Sequence, residues 1–285
     1  MKRVGIVTDS SSCLPLKLIN DYGIYVAPNC VVIGRKAYRD QVDITTAEFW
    51  KKFRESNETP KTAAVSPGDF MNIFIELSKT TDNIACVVLS QKLSATYSAA
   101  VQAKELMNVD QPSLNIEIVD SKTSIGALGF IVLEAARVAR MGKSLSEVVE
   151  TAQNAVPRAK YLLILESAKY IMRIGRAPDA AKAVPEQLQV SPIMGVVKNT
   201  GLVDMLGSGK GMVDAQRKAV NMVKEYADTQ RPLHVMLHYS ENGKEISDLE
   251  QMITSEYNCS EVYVSEFSPV VVTALGPSVG LAFYS

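Results

Sequence analysis

The sequence has few of the residues that usually build metal and nucleophile sites. Only two histidines occur among 285 residues, and the four cysteines, Cys13, Cys30, Cys86 and Cys259, stand alone with no CxxC pair. Zinc sites and disulfide frameworks need clustered cysteine or histidine ligands. The sequence therefore predicts neither a metal site nor a disulfide scaffold, and it fits the reducing interior of a cell.

The two histidines, His234 and His238, are four residues apart, a spacing that would suit two metal ligands on a helix. Their segment, "RPLHVMLHYS", has the pattern of a strand, in which four residues span roughly 13 Å and cannot share one ion. We expect both to be strand histidines that are hydrogen-bonded within the fold or lie at the surface.

Excess basic charge and a leader segment are also missing. Lys and Arg number 30 against 31 Asp and Glu, a net charge of −1, so the chain lacks the electrostatic attraction that binding a nucleic-acid backbone needs. The first apolar run, Val4 to Val7, stops at Thr8 and is too short for a signal-peptide core. We therefore predict no nucleic-acid partner and a cytoplasmic location.

The stretch "FSPVVVTALGPSVGLAFYS", from Phe267 to Ser285, has no charged residue over 19 positions, close to the length that spans a bilayer. Internal prolines and glycines interrupt it, and no basic residues flank it. We predict no transmembrane segment here, but the buried wall of a pocket that ends in a strand.

Short Val- and Ile-rich runs alternate with longer segments of helical period in the first half of the chain. "RVGIVTD", "IACVVLS" and "IEIVDS" predict strands, and "SPGDFMNIFIELSK", "SATYSAAVQAKELM" and "TSIGALGFIVLEAARVARMG" predict helices. This alternation is typical of an α/β domain with a parallel sheet. After Pro157 the pattern changes to six strand candidates, "YLLILES", "PIMGVVK", "GLVDMLGS", "LHVMLHYS", "EVYVSEF" and "GLAFYS". We predict an N-terminal domain over residues 1–158 and a mixed-sheet domain over 159–285.

Hydroxyl and carboxyl side chains follow the predicted strands, where α/β sheets bind ligands. Asp9 and Asp120 end two strands, and their position favours helix-capping or turn duty over ligand binding. Ser94 opens the helix in "KLSATYSAA", and a second hydroxyl-bearing turn, "PKTAAVSPGDF", carries Thr62 and Ser66. Two such turns at one sheet edge could hold a carboxylate between hydroxyl and amide groups.

Three further motifs fit known sites poorly. "GPSVG" matches the nucleophile elbow around Ser278, but no Asp, Glu or His follows it. "LGSGKG" offers Lys210 at a helix start without the spacing of a phosphate-binding loop. "MRIGRAP" places Arg173 and Arg176 around a glycine at a predicted helix end, where they suit an acidic partner or free carbonyl groups.

Six stretches occur in an order that resembles one known family: "VTDSSSCLP", "PKTAAVSPGDF", "LSQKLSATYSAA", "VDSKTSIGALG", "YIMRIGR" and "TALGPSVGLAFY". They resemble the DegV family of bacterial lipid-binding proteins, which includes the fatty acid-binding subunits of fatty acid kinase, nearly from end to end. The resemblance implies a three-layer α/β/α domain with a parallel sheet, then a two-layer α/β domain with a mixed six-stranded sheet.

The same resemblance implies a long-chain fatty acid buried between and beneath the two domains, with its carboxylate on the hydroxyls of Thr62 and Ser94. It implies no catalytic residue, no metal and no cofactor. A separate ATP-using kinase subunit would receive the lipid and form an acyl phosphate for phospholipid synthesis. Arg173, Arg176 and Lys210 are the residues that could face such a partner.

The sequence departs from the family pattern near the predicted carboxylate site. Ala63 and Ala64 replace a hydroxyl and an amide, Ala95 replaces a glycine, Ala274 replaces a histidine and Ser278 replaces a glycine. With Gly276, the residues Ala63, Ala95 and Ala274 are candidates for positions close to the ligand. The loss of the histidine leaves binding possible but puts presentation to a kinase in doubt.

Two alternatives remain open at this point. The protein could be a lipid sensor or storage protein without a kinase partner. It could also be an enzyme on a small phosphorylated or acyl substrate, acting through Ser278 or the loop of Arg173 and Arg176.

Overall fold

The computed structural model describes residues 3–56, 58–167, 169–170, 175, 190–197, 201–241 and 243–285. The described strands are, in chain order, β1 (Gly5–Asp9), β2 (Ile24–Ala27), β3 (Cys30–Ile33), β4 (Lys36–Arg39), β5 (Lys61–Ala63), β6 (Asn83–Val88), β7 (Asn115–Asp120), β8 (Lys160–Leu165), β9 (Ser191–Val196), β10 (Val203–Gly209), β11 (Leu233–Tyr239), β12 (Cys259–Glu266) and β13 (Ser278–Tyr284). The described α-helices are α1 (Leu16–Tyr22), α2 (Thr46–Glu55), α3 (Pro67–Ser78), α4 (Thr96–Asp110), α5 (Ile125–Arg140), α6 (Leu145–Ala155), α7 (Met212–Tyr226), α8 (Gly243–Glu256) and α9 (Pro269–Leu275).

The N-terminal half is a three-layer α/β/α sandwich around a parallel sheet of order β2-β1-β6-β7. Helices α3 and α4 cover one face, and α1, α5 and α6 cover the other. Because both faces are covered, the central strand β6 is almost wholly apolar, with the run "IACVV". The chain leaves β1 towards β2 on one side and reaches β6 on the other, so the sheet has its topological switch point between β1 and β6.

A second, antiparallel sheet of order β4-β3-β5 lies beside the parallel one. Its strands have only three or four residues, and β4 and β5 are largely exposed. This small sheet holds Thr62 in the centre of β5, opposite Val31 of β3. Helix α3 follows β5 closely, and its N-cap residue is Ser66, whose hydroxyl accepts the N–H of Asp69.

The C-terminal half is a two-layer α/β unit with a mixed sheet of order β10-β9-β8-β13-β11-β12. The β11–β12 pair is parallel and the other pairs are antiparallel. Helices α7 and α8 cover one face of this sheet over a core that includes Ile164, Val235 and Phe283.

Helix α5 joins the two halves because it packs against both sheets. It contacts β1 and β6 on one side and β8, β11 and β13 on the other. Twelve of its residues are buried, which explains why "IGALGFIVLEAA" is apolar around the whole helix rather than along one stripe. A Cβ on Gly126 would lie 2.6 Å from the Cβ of Ala282, so a glycine is needed where α5 meets β13.

The predicted fold class is confirmed, including the mixed sheet of six strands. The three N-terminal strand predictions match β1, β6 and β7, and the six C-terminal ones match β8 to β13. The sequence did not predict the antiparallel sheet. The domain boundary after residue 158 stays a prediction, and it falls just before the first strand of the second sheet.

The uncharged C-terminal stretch is not one continuous element. It forms α9 from Pro269 to Leu275 and then β13 from Ser278. Among the described residues, no helix has the length and apolar character needed to cross a bilayer.

Candidate functional site

A cavity of about 250 Å³ lies where the two halves of the chain meet. Its wall is mostly apolar: β8 and β9 contribute Leu163 and Met194, the segment after β6 contributes Leu89 and Leu93, and α9 contributes Val271 and Leu275. A concave, mostly apolar cavity with a few polar groups at one place is typical of small-molecule binding sites.

Both hydroxyl residues predicted to bind a ligand line this cavity. Thr62 reaches it from β5, and Ser94 reaches it from the loop between β6 and α4. Ala63, Ala95 and Ala274 also line it. Five of the six segments that resemble the family motifs therefore contribute to one cavity, although Ser11 and Leu275 in its lining are 264 residues apart in the sequence.

The remaining lining residues with polar side-chain atoms are Ser11, Asn29, Ser124 and Tyr161, which sequence reasoning missed. Ser11 lies in a short 3-10 turn after β1. Asn29 follows β2, so it comes from the neighbouring strand of the same sheet. The signal that could have found it is its position after a short apolar strand, since the carboxyl ends of parallel strands meet at one edge.

A buried carboxylate organises the polar end of the cavity. Asp9 caps the 3-10 turn, as predicted, and its Oδ1 accepts the N–H of Ser11 at 3.0 Å and the Nδ2 of Asn29 at 3.0 Å. Its Oδ2 accepts the N–H of Leu89 at 2.9 Å. Burial raises the pKa of Asp9, and these hydrogen bonds oppose the rise. Asp9 thereby ties the ends of β1, β2 and β6 together.

Ser94 is linked to this group through Thr96. The Oγ1 of Thr96 donates to the Oδ1 of Asn29 at 3.2 Å and lies 3.0 Å from the Oγ of Ser94. Ser94 also accepts the backbone N–H of Thr96 at 3.3 Å. The N-cap residue of α4 is Ala95 and not Ser94. Ser94 contributes to the start of the helix only by accepting the N–H of Thr96.

Asp40 fixes the helix that closes the cavity. Its Oδ1 accepts the N–H of Val270, the second residue of α9, at 3.1 Å. Val270 itself lines the cavity. Burial raises the pKa of Asp40 to about 7, and the nearby Ser10, Ser268 and Val270 lower it only in part.

Ile125 has an unusual backbone at the start of α5. Its φ is 53°, in the left-handed region that β-branched residues rarely adopt. It is buried and lines the cavity. Strained backbone of this kind persists only where surrounding structure fixes it, and it occurs often at binding sites.

Other predicted positions lie elsewhere. Gly276 has a φ of 65° just after α9, where a Cβ would collide with the ring of Tyr170, and it is not in the cavity lining. Lys210 is exposed in the turn before α7, and its N–H donates to Asp214 at 2.8 Å. Arg173 and Arg176 lie outside the described residues.

Ser278 has no nucleophile geometry. It begins strand β13, and its hydroxyl donates to the carbonyl oxygen of Gly276 at 3.0 Å. A nucleophile elbow would need a strand before the serine and a helix after it. The hydrolase alternative therefore has no support from this residue.

The histidines lie on β11, as predicted, but only one is hydrogen-bonded. His234 Nδ1 lies 2.6 Å from the Oε1 of Glu261. His238 is fully buried, stacks on Phe267, and has no well-formed hydrogen bond at either ring nitrogen. The prediction for His238 is wrong in that respect. Burial lowers its pKa to about 3, an effect that the Cys13 backbone offsets only in part.

The comparison with known sequences agrees with this architecture. Residues 3–285 match the sequence model of the DegV family, which is described as a family of uncharacterised proteins. The chain belongs to the DegV family. A DegV domain-containing protein of Caldanaerobacter subterraneus subsp. tengcongensis is 31% identical over 284 residues, which is 100% of this chain and 99% of the relative.

Solved structures with the same fold include a DegV family protein. A fatty acid-binding DegV family protein from Thermus thermophilus superposes with a TM-score of 0.89 at 26% identity, covering 99% of each chain. A stearic acid-binding protein from Eubacterium ventriosum has a TM-score of 0.88 at 21% identity, covering 99% of this chain and 98% of its own.

Proposed function

We propose that this DegV family protein binds a long-chain fatty acid in the cavity between its two halves, with the carboxyl group on Thr62 and Ser94. The observation that carries the proposal is that these two hydroxyls line one mostly apolar cavity. The Thermus thermophilus relative, 26% identical, is a fatty acid-binding protein of the same fold, which supports the same ligand class here.

The energetics favour an acyl chain of this kind only if the cavity exists before binding. Burying about twelve methylene groups at ~0.8 kcal/mol each gives roughly 10 kcal/mol. Association costs about 4–15 kcal/mol, which is of similar size. The apolar wall and the fixed position of α9 reduce the ordering cost, and the hydroxyls add specific bonds to the head group.

We also propose that the protein is a non-catalytic carrier in the cytoplasm. It would present the bound acid to a separate fatty acid kinase subunit, and the acyl phosphate formed there would enter phospholipid synthesis. The alternative is a lipid sensor or storage protein that uses the same cavity. An ATP-dependent assay for acyl phosphate with the host's kinase subunit separates the two, because only the carrier supports turnover.

The binding proposal is tested by mass spectrometry of a solvent extract of the purified protein. We expect a long-chain fatty acid. An empty extract, together with no binding of added fatty acids of any chain length, would overturn the proposal.

The head-group assignment is tested by Thr62→Val and Ser94→Ala. Each should weaken binding of the acid more than of its methyl ester. Leaving a buried polar group unpaired costs about 1–3 kcal/mol, a five- to 150-fold change in Kd. Ser98→Ala is the matched control, since Ser98 is an exposed serine of the same stretch on α4. Unchanged acid affinity in both cavity variants would show that these hydroxyls serve only the fold.

A further inference from the structure

The cavity is too small to hold the whole of a long-chain fatty acid. A cavity of about 150 Å³ holds one benzene molecule, which amounts to ~25 Å³ for each non-hydrogen atom. The cavity of about 250 Å³ therefore has room for about ten such atoms, whereas palmitic acid has about 18. If the carboxyl group lies on Thr62 and Ser94, the distal part of the chain needs another space.

The burial of the lining residues gives the chain a direction. Thr62 and Ser94 are half-buried, and the alanine that follows each of them is exposed. The lining residues that come from the second sheet, such as Met194 and Gly195, are buried. Because a carboxylate is most stable close to water, the fatty acid would keep its carboxyl group at the exposed end and direct its methyl end towards the second sheet.

A larger cleft adjoins the cavity at this sheet. The cleft has a volume of about 940 Å³. Tyr161, Gly195 and Val196 line both the cavity and the cleft, so these three residues form the wall between them. The lining of the cleft also includes the buried apolar residues Val119 and Leu162. The cleft therefore offers the space and the apolar surface that the distal part of the chain needs.

The wall lies where the pairing of two strands ends. In the register of β8 and β9, the last pair towards this end is Leu163 with Met194. Strand β8 begins three residues before Leu163, and β9 continues for two residues after Met194. Tyr161 and Gly195 therefore lie beyond the paired residues. Gly195 has no side chain, and the end of the flexible Leu206 side chain, which lines the cleft, lies 2.5 Å from the place of its missing Cβ.

A third cavity, of about 340 Å³, is less suitable for the distal part of the chain. It shares Thr62 with the first cavity, so it adjoins the end where the carboxyl group would lie. A chain that turned into it would leave the buried apolar wall of the first cavity uncovered. A chain that reaches the cleft fills the first cavity on the way.

We propose that the acyl chain passes over Gly195, beside Tyr161, and ends in the cleft, so that Tyr161, Gly195 and Leu206 select the length of the chain. The inference rests on the proposed function and deepens it. It extends the ligand class to long acids that carry a polar group at the ω end, because that end would lie in a cleft that reaches the surface.

The charged residues of the cleft favour such a group. Lys92, Lys122 and Lys160 line it, and the first two are exposed. Asp120 is the one acidic residue in the described lining, and its Oδ1 accepts the N–H of Lys122 at 2.9 Å and the N–H of Gln91 at 3.3 Å. With three lysines against one aspartate, the described lining attracts an anion.

The first test compares octanoic acid, which has about ten non-hydrogen atoms and fits the cavity alone, with palmitic and stearic acids. In Gly195→Ala the new Cβ would lie 3.2 Å from the carbonyl oxygen of Tyr161 and against Leu206, so the passage becomes narrower. The Kd of palmitic and stearic acids should rise at least ten-fold, and that of octanoic acid should stay the same, which also shows that the variant is folded.

Gly207→Ala is the matched control for this variant. Gly207 lies on β10 of the same sheet and outside both linings, and the nearest atom to a Cβ there would be 3.8 Å away. All three acids should bind to it as they bind to the wild type. Equal effects of Gly195→Ala on octanoic and palmitic acids would overturn the inference. A wild type that binds none of the acids would instead overturn the proposed function.

A second readout needs only the wild type and uses acids with a carboxyl group at both ends. Hexadecanedioic acid should bind within ten-fold of palmitic acid, because its second carboxylate would lie in the cleft. Octanedioic acid should bind at least 100-fold more weakly than octanoic acid, because its second carboxylate would lie against the apolar wall of the cavity. If hexadecanedioic acid is rejected as strongly as octanedioic acid, the chain does not end in the cleft.

The double variant Lys92→Met and Lys122→Met locates the ω end. It should weaken binding of hexadecanedioic acid several-fold and leave palmitic acid unchanged. Lys79→Met is the matched control, since Lys79 is an exposed lysine at the end of α3 and outside the cleft lining. Equal affinities of the double variant and the wild type for hexadecanedioic acid would place the ω end elsewhere and contradict the inference.

Discussion

At the scale of single residues, Asp40 fixes the helix that closes the cavity, but burying its carboxyl group lowers the stability of the protein at neutral pH. It is 1% exposed, and it joins the N-terminal half to α9 through the N–H of Val270. Its pKa of about 7 results from burial, so the native state keeps a proton that the unfolded chain loses at about pH 3.8. The stability that this proton provides is present below pH 3.8 and is lost as the pH rises to about 7.

Asp40→Asn should remove this pH dependence. The asparagine oxygen can still accept from Val270, and the side chain cannot ionise. Between the two pKa values, of 3.8 and about 7, the wild type loses about 1.36 kcal/mol of unfolding free energy per pH unit. From pH 5 to pH 8 the unfolding free energy of the variant should therefore rise by up to about 3 kcal/mol relative to the wild type. Urea unfolding at the two pH values measures this.

Asp43→Asn is the control for the Asp40 experiment. Asp43 is an exposed acid three residues away, and its pKa is lowered to about 2 by hydrogen bonds from Arg39. Because it is ionised at both pH 5 and pH 8, its replacement should change stability equally at the two values. If Asp40→Asn behaved in the same way, the raised pKa of Asp40 would be wrong.

The residues of the candidate site also differ in how far the sequence alone could predict them. The positions of Thr62 and Ser94 before a helix made them candidates, the family resemblance selected them as ligand residues, and both line the cavity. The position of Asn29 after a short strand could have placed it at the sheet edge, but its hydrogen bond could not be predicted, because Asp9 lies 20 residues earlier and reaches it only in the folded sheet. The missing hydrogen bonds of His238 are likewise a property of its neighbours and not of its own segment.

At the scale of elements, long periodic segments were predictable and short ones were not. Strands β1 and β6 lie in the middle of the parallel sheet, are buried almost throughout and contain short apolar runs, whereas the edge strand β7 alternates exposed and buried residues. Strands β3, β4 and β5 have three or four residues, and β4 reads "KAYR", so neither length nor period marks them as strands. Thr62 was consequently assigned to a turn, whereas it lies on a strand.

One ionic cluster joins elements of the two halves. Arg137 of α5 donates to Glu134 at 2.9 Å and to Glu261 of β12 at 2.6 Å. Glu261 also contacts His234, and Glu134 accepts from Tyr284 at 2.9 Å. The Arg137 side chain is 23% exposed, so the cluster is only partly screened by water.

Arg137→Met should therefore destabilise the protein by about 1–3 kcal/mol. Removing one partner of a buried ion pair costs 3–5 kcal/mol, and partial exposure reduces that figure. Lys143→Met is the matched control, because Lys143 pairs with Glu147 at the surface with its side chain 52% exposed, and water screens such a pair strongly, so its loss should cost much less. Denaturant midpoints compare the two variants; equal small losses would mean that the cluster does not hold α5 to the second sheet.

At the scale of the whole molecule, the cavity exists only because distant segments meet. Its lining comes from the turn after β1, from β5, from the start of α5, from β8 and β9, and from α9. No local pattern in the sequence predicts that these segments come into contact. The family resemblance could indicate the candidate site because proteins of one family share a fold and therefore share the contacts between distant segments. Composition and periodicity could indicate only the two larger sheets.

The position of Ala274 allows a test of the proposed carrier role. Ala274 lies on α9, lines the cavity and is partly exposed, so a larger side chain there would lie between the proposed head-group position and the outside. The family resemblance places a histidine at this position. If that histidine stabilises the carboxyl oxygen during phosphoryl transfer, Ala274→His should raise acyl phosphate formation by a kinase subunit by ~10²-fold, the usual effect of one positioned polar group.

The same substitution should leave fatty acid affinity nearly unchanged, because the contacts of Thr62 and Ser94 remain. Acyl phosphate formed with ATP and the host's kinase subunit, measured beside the Kd of the lipid, separates the two effects. Ala274→Asn is the control, since it adds a polar group of smaller size that cannot be protonated. Equal turnover in the wild type and both variants would show that another group serves the carboxyl, and that the histidine is dispensable in this member of the family.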